Sequence, residues 1–145
     1  MRLILPFLLA AAPAFAQTGP QTSPQDNPQT SPDSPLSAAE FEAYTTGKTM
    51  TYAEGGAVFG TEQYLPGRRV RWAFTGDQCK IGHWYPEGDL ICFVYEDTAD
   101  PQCWKFWQDE AGLRARFNDD PAGTELSEVR QTDQPLACAG PDVGV

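Results

Sequence analysis

The chain is poor in the residues from which most catalytic and nucleic-acid sites are built. It holds a single histidine, His83, and 10 lysines and arginines against 20 aspartates and glutamates, for a formal charge of −10. One imidazole, with no serine elbow and no phosphate-cradling glycine loop, leaves nucleophilic hydrolysis and nucleotide chemistry without their usual parts. The deficit of base excludes the positive patches that nucleic acid and anionic membrane surfaces require. Cys79, Cys92, Cys103 and Cys138 never come within the short spacing of a zinc knuckle or of a paired redox motif, so neither a metal nor a cofactor is expected. Asn27 precedes Pro28, and Asn118 is followed two positions on by Asp120, so the chain has no N-glycosylation acceptor.

Long apolar runs are missing too, except at the start. Arg2, the apolar stretch Leu3 to Leu9 and the small residues ending Ala14-Phe15-Ala16 form the charged, apolar and cleavage regions of a secretory signal. Pro6 and Pro13 interrupt it, and it falls short of the ~20 residues that cross a bilayer. Cleavage is expected after Ala16, which places the mature protein in the periplasm or outside the cell. Residues 17–35 repeat one unit, Pro20-Gln21-Thr22-Ser23-Pro24 and Pro28-Gln29-Thr30-Ser31-Pro32. With little to bury and many prolines, this segment reads as an extended, disordered linker. Residues 36–145 have the length of one domain.

Within that domain, Ser37-Ala38-Ala39-Glu40 has the form of a capping box that opens a short helix, with Gly47 as its left-handed stop. Turn residues then recur at a regular beat, Gly55, Gly67, Gly76, Gly88, Asp100, Gly112 and Gly123. Between them lie strand candidates at 49–53, 57–65, 69–75, 79–85, 90–96, 102–109, 113–118 and 124–130. In Arg69-Val70-Arg71-Trp72-Ala73-Phe74 the apolar residues alternate with the arginines, as in a strand with one buried face. A turn at residues 86–89 sets Trp84 opposite Ile91 and Gly82 opposite Phe93. The next turn, near Thr98, sets Trp104 opposite Ile91. The predicted interior therefore gathers Trp72, Trp84, Phe93, Trp104 and Phe106. An open meander of this length would leave two unpaired edges, so the expected fold is a mainly β, antiparallel up-and-down barrel of about eight strands with one short N-terminal helix. A two-sheet β-sandwich is the alternative, since both use short hairpins.

Four cysteines in an exported domain imply two disulfides among three possible pairings. Register favours Cys92 with Cys103, directly across from each other on the face opposite the aromatics, which leaves Cys79 with Cys138. A one-residue slip would undo that pairing. The same register puts His83 opposite Cys92, on the outer face, as a surface or interface group. The acids Asp97, Asp100, Asp109, Glu110, Asp119 and Asp120 cluster at turns, where aspartate bonds its own backbone. If the hairpin turn is Pro66-Gly67, Glu62 lies across from Arg71 as a cross-strand charge pair.

Gly47-Lys48-Thr49, Cys79-Lys80-Ile81-Gly82-His83-Trp84, Cys92-Phe93-Val94-Tyr95 and Cys103-Trp104 together resemble small secreted alphaproteobacterial proteins grouped as a domain of unknown function. The resemblance covers most of residues 47–104. It implies an exported β domain with no catalytic residue to carry over. In architecture the chain is also similar to lipocalin-type carriers and to barrel-shaped periplasmic inhibitors of lysozyme or protease, a likeness of fold that does not fix function.

Three functions follow as expectations. The first is a non-enzymatic exported binding module that engages a protein partner through its acidic surface, either a basic protein such as a lysozyme or soluble cytochrome or a membrane-associated complex. The second is a carrier of a small apolar ligand at a barrel mouth lined by members of the set Trp72, Trp84 and Trp104. The third, ranked last, is a hydrolase with paired carboxylates.

Overall fold

The structure, a computed structural model, describes residues 34–75 and 77–138. The expected signal segment with its cleavage point after Ala16, the linker up to Asp33, and the turn glycine Gly76 lie outside the described residues. One helix, α1 (Ala38–Thr45), precedes eight strands: β1 (Thr49–Glu54), β2 (Ala57–Leu65), β3 (Arg69–Phe74), β4 (Lys80–Glu87), β5 (Leu90–Tyr95), β6 (Gln102–Asp109), β7 (Gly112–Phe117) and β8 (Glu125–Thr132). Each strand pairs antiparallel with the next, and β8 returns to β1, so the sheet is a closed barrel. Closure leaves no strand edge unpaired, which is the reason this solution prevails over a sandwich.

Alternation along each strand decides what lies inside. Met50 and Tyr52, Val70 and Trp72, Ile91 and Phe93, and Leu113 and Ala115 are all buried and belong to one core cluster. β1 carries the tightest bend. Its register shifts between Tyr52 and Ala53 against β2 and between Thr51 and Tyr52 against β8, and such bulges turn a sheet sharply enough to close it. The outer face of β1 is buried as well, at Thr49 and Thr51. Thr49 Oγ1 donates to the carbonyl of Gln134 at 2.7 Å, and the Leu136 amide donates to Gln63 Oε1 at 3.2 Å. The C-terminal tail thus straps the seam from outside, and the Cys79–Cys138 disulfide ties that strap to the residue preceding β4. The second bridge, Cys92–Cys103, joins directly opposed residues of β5 and β6 on the outer wall.

α1 closes one end of the barrel. The capping box is formed, with Ser37 Oγ accepting from the Glu40 amide and the Glu40 carboxylate accepting from the Ser37 amide at 2.8 Å, and Gly47 follows the helix at φ +85°. From this short helix Phe41 enters the core fully buried. It makes edge contacts with Tyr64, Trp84 and Phe93 and a tilted contact with Phe106, reaching four strands at once. The outside of the plug is pinned by Arg68 on Glu42 at 3.1 Å and by the Tyr44 hydroxyl on Glu128 at 3.1 Å.

Register departs from the sequence expectation at two hairpins. Between β2 and β3 the loop has three residues, Pro66-Gly67-Arg68, because Arg68 itself adopts φ +60°. Glu62 therefore stands opposite Trp72, Gln63 stands opposite Arg71, and the expected Glu62–Arg71 pair does not form. Between β4 and β5 the turn is Gly88-Asp89 with Gly88 at φ +63°, the two-residue hairpin that suits strand twist. Pro86 lies within β4, Trp84 faces Phe93, Gly82 faces Tyr95 and His83 faces Val94, not Cys92. A two-residue shift preserves the inner and outer faces, so Trp84 stays inside and His83 outside. The expected opposition of Ile91 and Trp104 is present.

Candidate functional site

With α1 filling one end, a cavity of about 60 Å³ opens toward the other. Its rim comes from the ends of strands that meet there: Phe59 of β2, Phe74 of β3, Lys80 of β4, Gln102 of β6 and Thr98 in the loop after β5. Below the rim the wall is aromatic, with Trp72, Tyr95, Phe93 and Trp104, and deeper in lie Tyr52, Tyr64 and Phe106. Ala115 and Leu126, which oppose each other on β7 and β8, supply the small side of the wall.

Two glycines make room for the rings. A Cβ at Gly60 would collide with the indole of Trp72, and one at Gly82 would meet the carbonyl of Val94 and come to 2.8 Å from the ring of Tyr95. Backbone at these two wall positions is thus covered by the side chain of the neighbouring strand, a device that thickens a barrel wall without narrowing its lumen.

The remaining wall residue is Glu62. It is 3 % exposed and is the only carboxylate among the described residues that line the cavity. The Tyr95 hydroxyl donates to its Oε2 at 2.8 Å, while Oε1 has no hydrogen-bond partner. Burial pushes the acid up to about 8, opposed only by the bond from Tyr95. An unpaired charge in an apolar interior costs several kcal/mol, so the group holds its proton at neutral pH instead. Tyr52 and Tyr64 face the same interior with their hydroxyls 2.8 Å apart, and Tyr52 also reaches the Met50 sulfur at 3.5 Å. Desolvation holds all three tyrosines well above 10. Lys80 at the rim is paired with Asp97 at 2.7 Å.

Of the residues singled out in the sequence, Trp72 and Trp104 line the cavity. Trp84 is buried at the plugged end beneath Phe41, with the Arg68 guanidinium 4.7 Å from its ring. His83 is exposed on the outer wall. The four cysteines are all spent in disulfides; the one gathering of three candidate metal-binding groups among the described residues, Glu87 with Cys92 and Cys103, contains one of those bridges. Two of the turn acids do turn chemistry. Asp109 and Asp120 each accept from the backbone amide two residues on, and Asp119 pairs with Lys105. Among the described residues no second acid stands with Glu62 in the cavity wall, so they do not assemble the paired-carboxylate geometry there.

Sequence reasoning missed Glu62 as an interior residue. The signal was its parity: Gly60, Glu62 and Tyr64 share one face of β2, and Tyr64 was the single clue that this face is the inner one. No family model matches this chain, and neither a curated protein nor a solved structure does.

Proposed function

We propose that the protein is a non-enzymatic, exported carrier of a small ligand, held in the barrel interior between the plug and the rim. The observation that carries this reading is the unpartnered, fully buried oxygen of Glu62 in the wall of a largely aromatic cavity. Interior polar groups that serve folding alone are normally satisfied within the protein, and a pocket of apolar walls with one convergent polar group is the usual form of a small-molecule site. A volume of about 60 Å³ corresponds to roughly four or five water molecules, and thus to a ligand of about five to seven heavy atoms. Two disulfides suit an oxidising compartment, and no helix among the described residues is long and apolar enough to cross a membrane.

The test is tryptophan fluorescence under titration with small apolar ligands. Binding is expected to perturb emission through Trp72 and Trp104, so that Trp72→Phe with Trp104→Phe silences the response while Trp84→Phe keeps it. Ala115→Leu, which fills the lumen from the small side of the wall, is expected to abolish binding in a folded barrel. Retained binding in that variant would refute the interior site.

A second reading, a protein partner on the acidic exterior, draws on a depression of about 550 Å³ on the outer wall beside the C-terminal strap, where Val58 and Val129 are more than half exposed. Val129→Asp is expected to weaken such a complex and leave ligand binding intact.

A further inference from the structure

We propose that the ligand is a small organic ammonium ion, its N–H groups directed to the Glu62 carboxylate and its carbon skeleton laid against the rings of Trp72, Tyr95 and Trp104. This rests on the reading of the barrel interior as a ligand site and names the chemical class it takes.

The hydrogen-bond inventory of the interior leaves Glu62 as the open position. The Tyr95 hydrogen is committed to Glu62, and those of Tyr52 and Tyr64 are committed to each other and to the Met50 sulfur. What remains is Glu62 Oε1, which carries the acid's proton while the group is neutral and offers lone pairs once it ionises. Charge points the same way. Among the described lining residues Glu62 is the acid of the interior, and Lys80, at the rim, is paired with Asp97. The faces of indole and phenol rings carry negative potential and attract ammonium groups, the more so when water is excluded. A neutral acceptor would be served equally by glutamine, at far lower cost of burial. A carboxyl is distinguished by its ability to give up a proton when a cation arrives.

The proton balance follows. In the ligand-free protein at neutral pH the acid is protonated, since burial has pushed it to about 8. An incoming ammonium ion keeps its own hydrogens; the Glu62 O–H bond breaks, and its proton leaves to solvent, one for each ligand bound below that pH. No other group facing Glu62 competes in this range. Tyr95 on β5, Tyr52 on β1 and Tyr64 on β2 lie well above 10. β4 offers Lys80 in its pair with Asp97, and the lining from β3, β6, β7 and β8 does not titrate.

The experiment is isothermal calorimetry of the full chain, disulfides intact, with n-butylammonium and with the uncharged butan-2-one between pH 6 and 9. The amine association constant is expected to rise about tenfold per pH unit up to pH 8 and then level, as release of one proton requires. Glu62→Gln is expected to weaken amine binding at least about tenfold at pH 8.5, the loss of a buried charge partner. Tighter binding of butan-2-one that is lost above pH 8 would overturn the amine and leave the interior site standing, with the protonated acid as donor to a neutral acceptor. Equal amine binding by Glu62→Gln would also overturn it. No heat from either compound, with unchanged tryptophan emission, would bring down both the amine and the site.

Discussion

Replacing Glu62 by glutamine tests the buried acid through folding alone, with no ligand present. The carboxyl titrates near 4.5 when unburied and is held at about 8 in the barrel, chiefly by desolvation. Because the folded protein keeps this proton to higher pH than the unfolded chain does, unfolding releases a proton throughout that window. The stability that comes from a neutral Glu62 is therefore complete below about pH 4.5, declines as pH rises and is lost above pH 8. At about 1.4 kcal/mol per pH unit, the full loss is on the order of 4–5 kcal/mol, a large share of the 5–15 kcal/mol typical of a domain. Glutamine fills the same space and cannot ionise. Urea denaturation of oxidised wild type and Glu62→Gln at unit steps from pH 4 to 9 is expected to give equal stability near pH 4, a difference that grows in favour of the variant by about 1.4 kcal/mol per unit, and a plateau above pH 8. A difference that does not change with pH would mean that Glu62 is solvated or paired with a cation, and the account of the cavity would fail.

Other perturbations read other parts of the molecule. Phe41→Ala removes the fully buried plug residue with its four ring contacts and is expected to cost about 3–5 kcal/mol in urea denaturation; a cost below about 1 kcal/mol would show that the end of the barrel collapses around the gap. Gly82→Ala forces the Tyr95 ring off its seat. Weakening the bond to Glu62, which opposes the effect of burial, should raise the carboxyl titration above 8 by carbon-detected NMR and destabilise by about 1–3 kcal/mol. Serine pairs in place of the two disulfides should separate by loop length, since sequence separations of 59 and 11 give losses of about 4 and about 3 kcal/mol on the chain-entropy account. A reversed order would indicate that the tail strap contributes little constraint to the unfolded chain.

Much of this architecture is legible in the chain because turn residues and alternation report it directly. Every strand begins and ends close to where the punctuation places it, and Cys92 and Cys103 oppose each other because the β5–β6 turn counts correctly from Thr98. What escaped depended on single residues taking conformations that their type does not advertise. Arg68, a non-glycine at positive φ, lengthens one hairpin loop by a residue, and that alone moves Glu62 from its expected partner Arg71 to Trp72. A glutamate in a strand reads as solvent-facing, since buried acids are rare; only Tyr64, on the same face, argued otherwise. Closure of the sheet was deduced from the hazard of open edges, and the bulges of β1 that accomplish it follow from packing against β2 and β8, not from any local signature.

On the proposed carrier reading, the stopper that α1 places in the barrel also governs traffic. A ligand held behind Phe41 would enter past Phe59 and Phe74 and leave the same way. On that reading residence time would be set at the threshold by those two rings, and selectivity in the depths by Glu62. Trimming a doorway ring should hasten arrival and departure alike and leave the equilibrium between them nearly where it was.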